Sequence, residues 1–215
     1  MMTLRWSQQG AILPVALVML LVITALAVTG SREAVLEGRI TANRGHLVQL
    51  ENSADAALRE AEFRYFNPAN LRDKLQPIAA NCAVNNTLKA NGANKPCLLP
   101  LQEDKTVVRN FVLSPASLGD ANKDDFLIAG WSGLLWMPYR GRDHASTSEA
   151  ELPASWNTYL ITGGPTDENP VHVEYGALGE GRGTFFYLAN GRVTESDITT
   201  VAQSTFSNVY VGLNN

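Results

Sequence analysis

The sequence predicts an α+β fold: a long N-terminal helix, membrane-type in its first half and amphipathic in its second, packed on an antiparallel β-sheet head domain. Three observations carry that reading. Residues 11–28, AILPVALVMLLVITALAV, hold no charged side chain. Residues 31–66 hold no proline and repeat apolar side chains at steps of three and four, the period of one helix face. Beyond Pro68 the pattern changes to short runs of β-branched and aromatic residues, separated by Gly, Pro, Asn and Asp. The expected segments are therefore 1–10, 11–30, 31–66 and 67–215.

The apolar run comes first. As a helix it spans about 27 Å, enough to cross a hydrocarbon core. Pro14 falls in the first turn, where its missing N–H is harmless. Three roles fit such a run. One is an export signal removed whole, with Arg5 as its charged start and Ala25-Leu26-Ala27 as its cleavage pattern. Another is an uncleaved anchor. The third is a signal cut before the run, after Gly10, so that the run stays with the mature protein.

The residues after the run favour the third. Leu36, Ile40, Leu47, Leu50, Ala54, Ala57, Leu58, Ala61 and Tyr65 form one stripe. Asp55 with Arg59, and Glu60 with Arg64, are acid-before-base pairs at i, i+4. The pattern stops at Asn67-Pro68, because the residue before proline avoids helical angles. Gly30, Gly38 and Gly45 each weaken the helix by about 1 kcal/mol relative to Ala and are expected bend points. A removed export signal has no need of a helix that continues it.

In the rest of the chain, strands are expected at Thr106–Leu113, Phe126–Trp131, Trp156–Thr162, Val171–Tyr175, Gly183–Ala189 and Thr205–Val211. Connections such as GGPTDENP are too short for crossover helices, so the sheet is antiparallel. Residues 67–215 suffice for one sizeable core. Cys82 and Cys97 are the two cysteines. Outside the cytoplasm they are expected to pair, closing a loop worth about 3 kcal/mol; in a reducing compartment they stay thiols. A net charge of −4 and a pI near 5.4 argue against nucleic acid as a partner.

The stretches GAILPVALVMLLVITALAV and LEGRITANRGHLVQLENSADAALREAE resemble the N-terminal region of PilX-type minor pilins of the type IV pilus. Glu37, Arg39, Asn43, Ala54, Ala57, Leu58, Glu60, Ala61 and Glu62 carry the likeness, which covers residues 8–64. Gly38 separates Glu37 from Arg39, and SAD stands where an acid usually precedes AAL. The resemblance implies a leader, Met1–Gly10, removed by prepilin peptidase, and N-methylation of Ala11 as the mature N-terminus. It implies a single-pass inner-membrane protein with its head in the periplasm, a structural subunit and not an enzyme. Its partners would be other minor pilins and the major pilin through the N-terminal helix, with a tip adhesin as a further candidate. Most pilins carry glutamate five residues after the cut, to meet a neighbour's N-terminal amine; this chain has Val15. The tip pseudopilins of type II secretion also lack that acid. Val15 thus points to a place at or near the growing tip, in a complex that primes assembly. A pseudopilin of that secretion system, or a membrane-tethered periplasmic enzyme or binding protein, are the alternatives.

No cofactor or metal is expected. His46, His144 and His172 fit no metal spacing. GWSG at 130–133 lacks the nucleophile-elbow pattern, and GEGRG at 179–183 comes after no βαβ unit. Asp120, Asn122 and Asp124 have the start of a calcium-loop spacing, but Asp125 and Trp131 occupy the positions that need glycine and glutamate. WSGLLWMPYR, residues 131–140, is either buried core or an aromatic contact surface. Asn85-Asn86-Thr87 is formally a glycosylation acceptor, a pattern too common to carry weight.

Overall fold

The computed structural model describes residues 12–102, 104–119, 123–145, 152–161 and 182–212. The chain divides into two compact units, residues 1–48 and 49–215. Helix α1, Ile12–Phe66, is one unbroken helix, including at Gly30, Gly38 and Gly45. It ends one residue before Asn67-Pro68, as the proline requires.

In the first unit every described side chain is exposed except His46, which is half-buried. Leu13, Leu20 and Ile23 are each more than half exposed. Leu36, Ile40 and Leu47, expected on the buried stripe, are exposed as well. The stripe starts to bury only at Leu50, in the second unit, and runs through Ala54, Ala57, Leu58, Ala61 and Tyr65.

The second unit adds helices α2 (Leu71–Leu75), α3 (Lys105–Leu113) and α4 (Lys123–Phe126) and strands β1 (Met137–Pro138), β2 (Ala154–Leu160), β3 (Arg182–Glu195) and β4 (Ile198–Val211). The sheet is antiparallel throughout, in the order β1-β2-β3-β4. Its helix-facing positions include Trp156, Gly191 and Ala202, which are opposite one another in register. Side chains one residue along point to the other face. There Phe111 of α3 meets Tyr159 edge to face, ring centroids 6.3 Å apart. The sheet is thus covered by the end of α1 on one side and by α3 with its loops on the other.

Gly191 explains how closely helix and sheet approach. A Cβ there would lie 2.0 Å from the Ala54 carbonyl oxygen and 2.6 Å from the Leu58 nitrogen. Only glycine on the strand and alanines on the helix allow that spacing. On the opposite face a row of amides crosses three strands. Asn190 donates to Asn157 at 2.9 Å, Gln203 donates to Asn190 at 2.8 Å, and Asn157 donates to the Leu135 carbonyl at 3.1 Å. These residues are direct register partners, so a one-residue slip would strand each amide.

Two expected strands are corrected. Thr106–Leu113 is helical: the Asp104 side chain accepts the N–H groups of Thr106 and Val107, an N-cap that outweighs the strand preference of the valines. Phe126–Trp131 ends a helix and continues as loop, with a single bridge from Leu127 to Leu101. The other expected strands within the described residues form, and toward each other β3 extends six residues further and β4 seven, to meet at a tight turn where Ser196 takes a left-handed conformation (φ 52). Val171–Tyr175 lies outside the described residues.

Candidate functional site

Three features of the chain invite a functional reading: the apolar end of α1, the junction where α1 ends, and the polar groups of the C-terminal unit.

The apolar end is a lipid-compatible surface by its polar accounting as well as its side chains. A helix satisfies its own backbone groups. The hydroxyls of this segment do the same. Thr24 donates to the Leu21 carbonyl at 2.9 Å, Thr29 to Leu26 at 2.9 Å, and Ser31 to Val28 at 3.0 Å. Val15 stands on this surface, 56% exposed, and adds no charge to it. Among the described residues one helix, α1, is long and apolar enough to cross a membrane. Gly10 and Ala11, the expected processing site, lie outside the described residues. Glu37, Arg39 and Asn43 are exposed on the helix.

The junction is built around the second of the two acid-before-base pairs. Glu60 and Arg64 are both fully buried, 2.9 Å apart. Arg64 also donates to the Asn86 side chain at 3.2 Å, the Asn86 carbonyl at 3.1 Å and the Lys95 carbonyl at 3.0 Å. Its guanidinium lies 4.9 Å from the centre of the Trp156 ring. Burial pulls Arg64 below its ordinary value, and Glu60 opposes that pull. The other oxygen of Glu60 accepts the Arg140 backbone N–H at 2.6 Å. Cys82 and Cys97 are disulfide-bonded, and Asn86 and Lys95 lie inside the loop they close. The ion pair therefore ties the disulfide loop and the segment after β1 to the end of α1. By contrast Asp55–Arg59 is an exposed pair at 3.6 Å.

Lys74 of α2 completes the junction. It is fully buried, and its ammonium donates to the carbonyls of Tyr65 (3.1 Å) and Asn67 at the C-terminus of α1. That end of a helix carries partial negative charge, so the cation takes the place of a C-cap. Burial pushes Lys74 down to about 8. Around it, Tyr65, Tyr187 and Phe206 pack with centroids 4.4–5.3 Å apart, and Tyr187 donates to the Lys74 carbonyl at 3.0 Å. Thr158 donates to the Cys97 carbonyl at 2.7 Å, so Tyr65, 2.6 Å away, donates to Thr158. Burial raises both Tyr65 and Tyr187.

These contacts fasten the end of α1 to the loops and sheet of the second unit. Among the described residues no three His, Cys, Asp or Glu side chains come together to hold a metal. His144 is exposed and His46 belongs to the first unit; His172, Asp120, Asn122 and residues 179–181 of GEGRG lie outside the described residues. Asp124 and Asp125 are exposed on α4. Within WSGLLWMPYR, Leu135 and Met137 are buried and Trp131 and Trp136 half-buried, so most of the stretch is packed. Sequence reasoning missed Lys74 and the burial of Glu60 and Arg64. The available signal was their phase: both charges fall on the same face as Ala57, Ala61 and Tyr65. No protein-family model, curated protein or solved structure matches this chain.

Proposed function

We propose that this chain is a minor pilin of the type IV pilus, a structural subunit that helps to start assembly in a tip or priming complex. In this reading prepilin peptidase cuts after Gly10 and Ala11 becomes the N-methylated N-terminus. The chain then waits in the inner membrane with its head in the periplasm, and α1 afterwards docks among the helices of other minor pilins and the major pilin.

The observation that supports this most is the division of labour along α1. Its first part is apolar and exposed, and its last part is a tightly packed element of the head. An anchor alone needs no such fastening. A subunit pulled from lipid into a fibre does, because the force acts on the helix and the head must move with it. Glu60–Arg64, Lys74 and the Gly191 contact all secure the helix to the head. Val15 favours the tip: a carboxylate at that depth costs about 2.5–3.5 kcal/mol and is worth having only where a neighbour's amine meets it.

Immunogold labelling of intact filaments tests the reading. The expected pattern is gold at filament ends, with the Val15→Glu variant moving along the shaft. Label spread evenly along the unmodified filament would remove the tip assignment, and absence from sheared filaments would remove the pilin reading.

A further inference from the structure

The two sides of the disulfide loop are held unequally. After Cys97 the chain joins the sheet: the Leu99 N–H donates to the Thr158 carbonyl at 2.8 Å, and Leu98 bridges to Thr158. On the other side, residues 82–86 form turns outside the sheet. Asn86 spans the space between the two sides. Its side-chain amide donates to the Asn81 carbonyl at 2.6 Å and to the Lys95 carbonyl at 3.0 Å. Its two oxygens, with the Lys95 carbonyl, are the acceptors that receive Arg64. The seat of Arg64 is therefore assembled from both sides of the loop at once.

That seat exists only while the two sides stay together, and the Cys82–Cys97 bond joins them covalently. Opening the loop gives its chain back conformational freedom. An arginine whose neutral acceptors drift away is left as a buried charge matched by Glu60 alone. Tyr65 ends on the same loop, because Thr158 passes its hydrogen bond on to the Cys97 carbonyl. Two neighbouring polar anchors of α1 thus depend on the loop. Strands β2, β3 and β4 are held by their own ladders instead.

We propose that the Cys82–Cys97 bond is an oxidative lock on this junction: forming it seats Arg64 and fixes the end of α1, while the sheet folds without it. The chemistry is thiol–disulfide exchange. One cysteine thiolate attacks a disulfide oxidant and frees one of its sulfurs; the second thiolate attacks the mixed disulfide and frees the other. The two cysteines give up two protons and two electrons, and the oxidant takes them up and leaves as a dithiol. Once joined, both cysteines are at most 1% exposed, so the exchange precedes closure of the junction. The proposal does not rest on the filament role and stands or falls separately from it.

Hydrogen exchange read by mass spectrometry tests it, on the full chain in detergent micelles. The disulfide-bonded chain is compared with Cys82→Ala/Cys97→Ala. Amides in peptides from the end of α1 should exchange about tenfold faster or more in the cysteine-free chain, the size expected for losing a hydrogen bond to a charged group, while those of β3 and β4 change by less than about twofold. Asn86→Ala, with the bond intact, should speed exchange in the same helix peptides. Its effect should be smaller in the cysteine-free chain, because both changes act through one seat. Equal protection of α1 with and without the bond, a loss in the strands as large as in the helix, or an undiminished Asn86→Ala effect in the cysteine-free chain would each overturn the proposal.

Discussion

Two arginines close together in the sequence, Arg59 and Arg64, show how little a charge pattern says until its face is known. Both come four positions after an acid, yet the first pair is exposed and the second fully buried. Arg64→Met would leave Glu60 buried and unpaired, and should cost about 3–5 kcal/mol in urea unfolding. Arg59→Ala, at an exposed pair, should leave the urea midpoint nearly unchanged. Lys74 gives a pH signature of definite sign. Its folded value is about 8 against 10.5 for the ordinary side chain, so above pH 8 the folded state has released a proton that the unfolded chain still holds. The unfolded state then binds more protons, and stability rises with pH up to 10.5. Tyr65, Tyr187 and Tyr210 act in the opposite sense. Burial raises them from 10.0, so above that pH only the unfolded chain ionises and stability falls. The unfolding midpoint should climb from pH 8, turn over near pH 10, and then drop; in Lys74→Met the climb disappears and the drop remains.

At the scale of elements, the helix–sheet contact is set by what is missing at Gly191. Gly191→Ala places a methyl carbon against the backbone of α1, not against a side chain that could turn away. The helix must shift, and the expected cost is about 1–3 kcal/mol or more, read as a lower unfolding temperature. Ser155→Ala, one register step from that contact and half-buried, should leave the temperature nearly unchanged. Much of this architecture is visible in the residues themselves. The stop of α1 is written in Pro68, and the cores of β2, β3 and β4 in their aromatic and β-branched runs. The rest was hidden by competing local signals. Thr106–Leu113 has strand-like composition, and the capping role of Asp104 decides for helix. The far halves of β3 and β4 are polar, as in Thr194 and Thr199, and hold as strands through their pairing with each other. The junction was hidden for a different reason: Lys74 and Arg64 look like surface residues by type, and only their tertiary partners, distant carbonyls at Asn67, Asn86 and Lys95, account for their burial.

For the whole molecule, the question is where the apolar part of α1 spends its life. Ile12, Leu13, Leu17 and Leu20 are each at least 60% exposed. At about 25 cal/mol per Å² of apolar surface, a stretch of this kind is strongly driven out of water. The full chain should therefore sediment with membranes, stay there through a high-salt wash, and be released by detergent. The same surface, first in lipid and later among like helices, is what the proposed assembly role needs. Intact-mass measurement of the mature protein from detergent-solubilised membranes is the most direct test. The account predicts a chain that begins at Ala11, heavier by one methyl group and lighter by the two hydrogens lost to the Cys82–Cys97 bond. A mature chain that begins at Val28, free of the apolar segment and soluble, would contradict it.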